Sequence, residues 1–270
     1  MPQNYVHGYA PREHQRLQDQ ADTLVELLHA DTAFLPGARV LEAGCGVGAQ
    51  TVTLAGRSPD ARFTALEISG ASLAEARRRV AAAGLANVAF LQGDIFRPPL
   101  APESFDAIFV CFVLEHLAQP VAALETLKGL LKAGGSLTVI EGDHGSTIFH
   151  PDSPAARAVI DCQVELQRRA GGNAHIGREL YPLLRRAGFA TVRVSPRMVY
   201  VDASRPQLVE GFTRRTFTAM IQGVRAPALA AGLMGAAAFD AGLRALQRTT
   251  EADGVFGYTF FKAVAVKDRD

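Results

Sequence analysis

Three acidic residues in this chain each stand where an apolar run gives out. Glu42 lies inside RVLEAGCGVGAQT (39–51), just ahead of three alternate glycines, Gly44, Gly46 and Gly48. Glu67 comes near the end of ARFTALEIS (61–69), and Asp94 closes NVAFLQGD (87–94). Gly44 and Gly46 can take positive φ and let a ligand lie against the main chain. The helix-like run that follows offers unpaired N–H groups. A dinucleotide loop would read G-x-G-x-x-G, but here the pattern is E-x-G-x-G-x-G. A carboxylate at Glu42 is a poor neighbour for a pyrophosphate and a good one for a cation, such as an amino group or a sulfonium. Glu67 occupies the position where an acid reads a ribose diol, a role that nicotinamide and adenosine ligands share. With Asp94, three acids from three strand ends surround one crevice. That set describes a cationic adenosine derivative better than a pyrophosphate.

A second group of reactive types follows a later apolar run. The segment EGDHGSTIFHP (141–151) holds Glu141, Asp143, His144 and His150. An acid beside a histidine could orient an imidazole near neutral pKa, so His144 is the catalytic candidate, accepting or positioning a proton of the second substrate. Asp143 and His150 are candidates for contacting that substrate. Arg178, in NAHIGRELYPLL (173–184), could hold a carboxylate bidentately. Tyr9 in YVHGY (5–9), with Tyr5 and His7, could line a pocket, and Arg197 and Tyr200 are similar candidates on a late strand. His116, with the weaker Glu115 beside it, lies in VLEHL and could pack over a cofactor or cap a helix.

These residues need a scaffold of alternating elements. The strands are expected at 38–44, 61–69, 87–94, from 104, 136–143, 191–202 and 256–267. Helices fall at 11–30, 47–57, 69–84, 120–135, 155–170 and 178–188. Strand–helix alternation at this spacing implies an α/β fold with a mostly parallel sheet and helices on both faces. The expected organisation is one domain over 1–270: an N-terminal lid and helix (1–37), a cofactor-binding core (38–202), a helical insertion (203–255) and a final strand (256–270). The insertion carries Phe212, Phe217, Met220, Met234 and Phe239 and would cover the open end of the sheet, enclosing a small molecule.

Bulk properties narrow the field. The formal net charge is +1 and 48% of residues are hydrophobic, so a large core is available and no electrostatic case for nucleic acid or an anionic membrane exists. Three cysteines, Cys45, Cys111 and Cys162, fit neither a zinc pattern nor a disulfide framework. No metal is expected. A polar N-terminal stretch and the lack of an eighteen-residue apolar window predict a cytoplasmic chain without signal peptide or membrane span.

In this order of segments the chain resembles the class I S-adenosylmethionine-dependent methyltransferases of the small-molecule, type 11/25-like kind. The resemblance rests on VLEAGCGVG, ALEIS, LQGDIFRPPL, FDAIFVCFVLEHL and LKAGGSLTVIEGD, from about residue 38 to 143. It implies a Rossmann-like seven-stranded sheet whose last strand, FGYTFFKAVAVK, runs antiparallel. It also implies S-adenosylmethionine as cofactor. Gly44, Gly46 and Gln50 would line its methionine part, with Glu42 near the amino end. Glu67 would hold the ribose hydroxyls with Ile68 against adenine, and Asp94 would take the adenine amino group with Ile95 beside it. Cys111, Phe112 and His116 would close the methionine side. The expected reaction is in-line methyl transfer to a small metabolite at O or N, by a monomer or homodimer. Methylation of RNA or protein, and a catalytically silent cofactor binder, are the alternatives.

Overall fold

The computed structural model describes residues 11–269. Seven strands form one sheet: β1 (Arg39–Ala43), β2 (Arg62–Glu67), β3 (Val88–Gln92), β4 (Phe105–Cys111), β5 (Leu131–His150), β6 (Thr191–Val201) and β7 (Val255–Val266). Their order is β3-β2-β1-β4-β5-β7-β6. β7 runs antiparallel to both its neighbours, and the other pairings are parallel. The expected Rossmann-like sheet with an antiparallel last strand is therefore present. Strand order reverses between β1 and β4, which opens a crevice over their carboxyl ends.

Central strands read as continuous apolar runs because helices cover both faces. Val40, Leu41 and Ala43 of β1 and Ile108, Phe109 and Val110 of β4 are fully buried. The helices start and stop where local chemistry dictates. Ser69 caps α3 (Gly70–Ala82) by accepting from the Ser72 N–H, and Gly84 at φ +68° turns the chain out. Ser153 caps α5 (Pro154–Arg169) through Ala156 N–H, with Pro154 at its first turn. The remaining helices that matter here are α1 (Pro11–His29), α2 (Ala49–Arg57) and α4 (Pro120–Leu130).

One boundary differs from expectation. β5 does not end near Asp143 but continues to His150, pairing Ile148, Phe149 and His150 with Gly257, Phe256 and Val255 of β7 after a register shift. The segment after Asp143 is therefore part of the sheet rather than a loop. Ser146 holds the irregularity together, its Oγ donating to Asp143 O (2.6 Å) and accepting from Thr259 N–H (2.8 Å).

The insertion packs back on the domain. A side chain at Gly242, in the helix Ala236–Arg248, would collide with Val159 and Ala155 of α5. A run of π-helical turns, Val209–Thr218, docks on α1, where a side chain at Gly211 would strike Thr23. Such turns inside helices accompany functional sites. No helix among the described residues is long and apolar enough to cross a membrane.

Candidate active site

The three glycines of the first loop have separate reasons to be glycine. All have positive φ: +82° at Gly44, +54° at Gly46 and +79° at Gly48. A Cβ at Gly44 would lie 2.5 Å from Val113, and one at Gly48 would lie 2.9 Å from the Ala76 backbone. At Gly46 a Cβ would meet nothing within 4 Å. The loop is thus packed on both flanks and open in its middle.

Glu67 anchors that opening. Its Oε2 accepts from Gly46 N–H (3.0 Å) and its Oε1 from Ser69 N–H (2.8 Å). A carboxylate has about four acceptor positions, so two remain for a ligand diol. Beside it Ile68 is 55% exposed, an apolar side chain left facing solvent. Asp94 is exposed, with Oδ1 accepting from Phe96 N–H (2.9 Å), and Ile95 next to it is half-buried. Glu42 is buried, and Thr51 Oγ1 donates to its Oε2 (2.6 Å). Burial, reinforced by repulsion from Glu67 and opposed by Thr51, pushes its carboxyl up to about 7. Gln50 turns its amide oxygen to α1, where His29 Nε2 donates to it at 2.7 Å. Burial holds the His29 imidazolium down at about 4, so the ring is neutral.

Phe112 links this half of the site to a cleft. It follows β4 at φ +56°, a left-handed conformation that costs an aromatic residue on the order of 1–3 kcal/mol. Its N–H is held by Ile140 O (2.9 Å), and its ring lies 5.5 Å from that of Phe260. Cys111 before it is half-buried, and burial pushes its thiol well up, which makes it a packing group. The cleft has about 570 Å³ of empty space including its mouth. Glu115 and His116 of the 3-10 turn Leu114–His116 line it, as do Gly142 and His144 of β5 and Tyr258 and Phe260 of β7. Phe212, Thr216, Phe217 and Met220 of the insertion form another wall, and Arg16 and Gln20 of α1 complete it.

His144 is the buried imidazole in this cleft. It is 6% exposed, its Nδ1 lies 3.1 Å from the Tyr258 hydroxyl, and its Nε2 has no partner among the described residues. Burial pushes its pKa down, with Glu115 opposing, so the ring is neutral at pH 7. Glu141 is wholly buried. Its Oε1 accepts from Val113 N–H (3.0 Å) and Leu114 N–H (2.7 Å), which fastens the turn after β4 to β5. Burial and then Glu115 push its carboxyl well up. Glu115 Oε2 accepts from Gln167 Nε2 (3.1 Å), and its Oε1 lies 3.5 Å from His116 Nε2.

The structure redraws several expectations. Asp143 does not orient His144. It is buried and receives both arms of Arg178, Nε at 2.7 Å and Nη2 at 2.9 Å, with His175 at 3.3 Å. Arg178 and Asp143 therefore satisfy each other and do not line the cleft. His150 is exposed at the end of β5, and Tyr200 is exposed on β6 opposite Gly257; neither lines the cleft. Tyr9, with Tyr5 and His7, lies outside the described residues. Tyr258 and Phe260 were missed as site residues. Their signal was the alternation in FGYTFF, which puts both on one face of β7, opposite the side-chain-free Gly142. A Cβ at Gly142 would strike the Tyr258 hydroxyl.

This sheet order, with an acid-bearing glycine loop at its switch point, is the class I methyltransferase architecture. Residues 40–135 match the family model described as a methyltransferase domain. An uncharacterized 37.1 kDa protein in transposon TN4556 of Streptomyces fradiae is 37% identical over 198 residues, 72% of this chain and 56% of that protein. A demethylmenaquinone methyltransferase of Beutenbergia cavernae is 34% identical over 106 residues, 39% of this chain and 41% of that enzyme. The chain thus spans about half the length of the relatives it matches. Two solved structures share the fold alone. The [4+2]-cyclase SpnF has a TM-score of 0.55 at 19% identity, covering 94% of this chain and 82% of that one. A Haemonchus contortus phosphoethanolamine-type N-methyltransferase 2, in complex with S-adenosylhomocysteine, has a TM-score of 0.57 at 17% identity, covering 93% and 52%. Residues 40–135 thus carry a methyltransferase domain, set in a sheet of class I order.

Proposed function

We propose that this chain binds S-adenosylmethionine over the carboxyl ends of β1, β2 and β3. It passes the methyl group to a small-molecule acceptor, at O or N, held in the cleft beside them. The observation that carries this reading is the tripeptide Cys111-Phe112-Val113. Val113 packs on Gly44 of the open loop, while Phe112 lines the cleft. One turn of chain therefore separates the two ligand spaces.

The residues fit the cofactor. Gly46 leaves room for the methionine part, and the free acceptor positions of Glu67 suit a ribose diol. Ile68 and Ile95 offer apolar surface to adenine, and Asp94 can accept from its amino group. Bound there, the sulfonium supplies an electrophilic methyl group. The chain's own task is to align the acceptor and exclude water. The insertion and α1 enclose the cleft, and His144 is the residue we assign to the acceptor's polar group. An enclosed cleft and a net charge of +1 favour a small metabolite over RNA or protein. Because one fold neighbour is a cyclase, fold by itself does not carry the reaction type.

Calorimetric titration tests the reading, with S-adenosylmethionine and S-adenosylhomocysteine as ligands and reduced nicotinamide as control. Micromolar binding of the two sulfur ligands alone is expected. Binding of nicotinamide with neither sulfur ligand would overturn it. Transfer of labelled methyl to bulk RNA or protein, with none to small metabolites, would move the acceptor class.

A further inference from the structure

The cleft contains one buried polar pair that the methyl-transfer reading leaves unexplained. Tyr258 is 3% exposed and its hydroxyl lies 3.1 Å from His144 Nδ1. The two residues meet edge to face, with ring centroids 5.7 Å apart. His144 Nε2 is buried without a partner among the described residues. A neutral imidazole carries one N–H and one lone pair, and the neighbouring hydroxyl decides which nitrogen has which.

Two arrangements exist. If Nδ1 carried the hydrogen and donated to Tyr258, the phenol's own hydrogen would lack an acceptor among the described residues, and the Nε2 lone pair would also be unmet there. If Tyr258 donates to Nδ1, only the Nε2–H is left unmet. An unmet buried polar group costs about 1–3 kcal/mol, so the second arrangement wins. Burial keeps the proton on the Tyr258 hydroxyl, and the charged and titratable groups facing His144 are Glu115, Asp143, His175 and Arg16.

We infer that Tyr258 is a positioning residue that fixes His144 as an Nε2–H donor, and that the cleft takes an apolar, ring-sized acceptor presenting a hydrogen-bond-accepting oxygen to that donor. The inference rests on the proposed methyl-transfer reading for the acceptor's role. It deepens that reading by replacing a proton-accepting histidine with a donating one. A hydroxyl, enolate or carbonyl oxygen satisfies Nε2–H; an ammonium, which only donates, does not. The walls suit such a molecule: Phe112, Phe217 and Phe260 present rings, and Met220 a polarisable side chain.

The test is long-range proton–nitrogen NMR on the full chain with nitrogen-15 histidine, with and without saturating S-adenosylhomocysteine. The His144 signal is assigned by its loss in His144→Gln. The expected result is a single Nε2–H tautomer in the wild type and a tautomer mixture in Tyr258→Phe. An Nδ1–H tautomer in the wild type overturns the positioning role. The second readout is titration with 4-nitrophenol and, separately, benzylamine. 4-Nitrophenol is expected to move the Nε2–H resonance, and His144→Gln, whose amide still donates, to keep its affinity within about threefold while His144→Leu loses tenfold. A resonance unmoved at millimolar 4-nitrophenol, or moved by benzylamine instead, overturns the oxygen subsite. Failure to bind S-adenosylhomocysteine would sink the cofactor reading while leaving the tautomer result standing.

Discussion

Glu67 anchors the glycine loop and, in the proposed function, also the ligand. Its oxygens accept from Gly46 and Ser69 N–H while keeping acceptor positions for a diol. Hydrogen bonds to a charged group contribute about 1.5–3 kcal/mol, so Glu67→Ala is expected to weaken S-adenosylhomocysteine binding by about one to two orders of magnitude in calorimetry. Unchanged affinity would displace the site. A pair of buried groups gives a second expectation. Glu42 is raised from an ordinary 4.5 to about 7, so the folded state holds more protons than the unfolded one between those values. Its contribution to stability is full below 4.5 and is lost as pH rises through 7. His29 is lowered from 6.5 to about 4, so its contribution is full above 6.5 and is lost as pH falls through 4. Between about pH 4.5 and 6.5 the two slopes oppose each other. Urea denaturation should therefore show a shallow dependence in the wild type across that window. Glu42→Gln should expose a rise in stability with pH, and His29→Gln a fall. Parallel curves for all three proteins would refute the assignment.

At the scale of elements, what was legible in the sequence is what is local. The glycine loop, its acid and the strands before and after it are encoded within a dozen residues of one another, and the structure places them as read. The acceptor side was not legible, because its pieces meet from far apart. Tyr258 and His144 are separated by 114 positions, and no local pattern pairs them. The long β5 was cut short because Gly145 and the polar run around it look like a turn, whereas the β7 ladder carries the strand onward. Asp143 and Arg178 each looked free to act and instead meet each other. The docking of α1 is another distant arrangement. Buried Lys262 of β7 donates to Asp31 (2.6 Å), Thr32 (2.6 Å) and Leu28 O (3.2 Å), and Arg197 of β6 also holds Asp31. Burial pushes Asp31 up, but its hydrogen bonds from Lys262 and Arg197 together outweigh this and hold it at about 2. Asp31→Asn leaves a buried ammonium without its counter-charge, whereas Lys262→Met replaces it with an apolar chain of similar length. The first is expected to destabilise the protein more than the second, by about 1–3 kcal/mol in chemical denaturation. The reverse order would show the tether to be no more than a hydrogen-bonded polar contact.

At the scale of the whole molecule, the cleft proposed for the acceptor is assembled from distant parts of the chain. Arg16 and Gln20 come from α1, Phe212 to Met220 from the insertion, and Tyr258 and Phe260 from β7. Gly211 permits α1 and the insertion to touch, so the two covers are mechanically joined. Hydrogen exchange on addition of S-adenosylhomocysteine should then slow together in 16–29 and 209–223, not in one alone. Protection confined to the glycine loop would show the covers to be independent of the cofactor side.

The antiparallel strand β7 lies between β5 and β6, although it is made after both. A nascent chain halted before Val255 would already contain the glycine loop, the three acids and all five strands from β1 to β5. It would have a vacant slot in its sheet, with β6 lacking its neighbour among the described strands and His144 lacking Tyr258. The glycine loop and the completed cleft therefore come together at different times during synthesis. The cleft is complete only when the final strand slides into place, and that insertion, whose pairings with β5 join residues more than a hundred positions apart, is the step expected to set the folding rate.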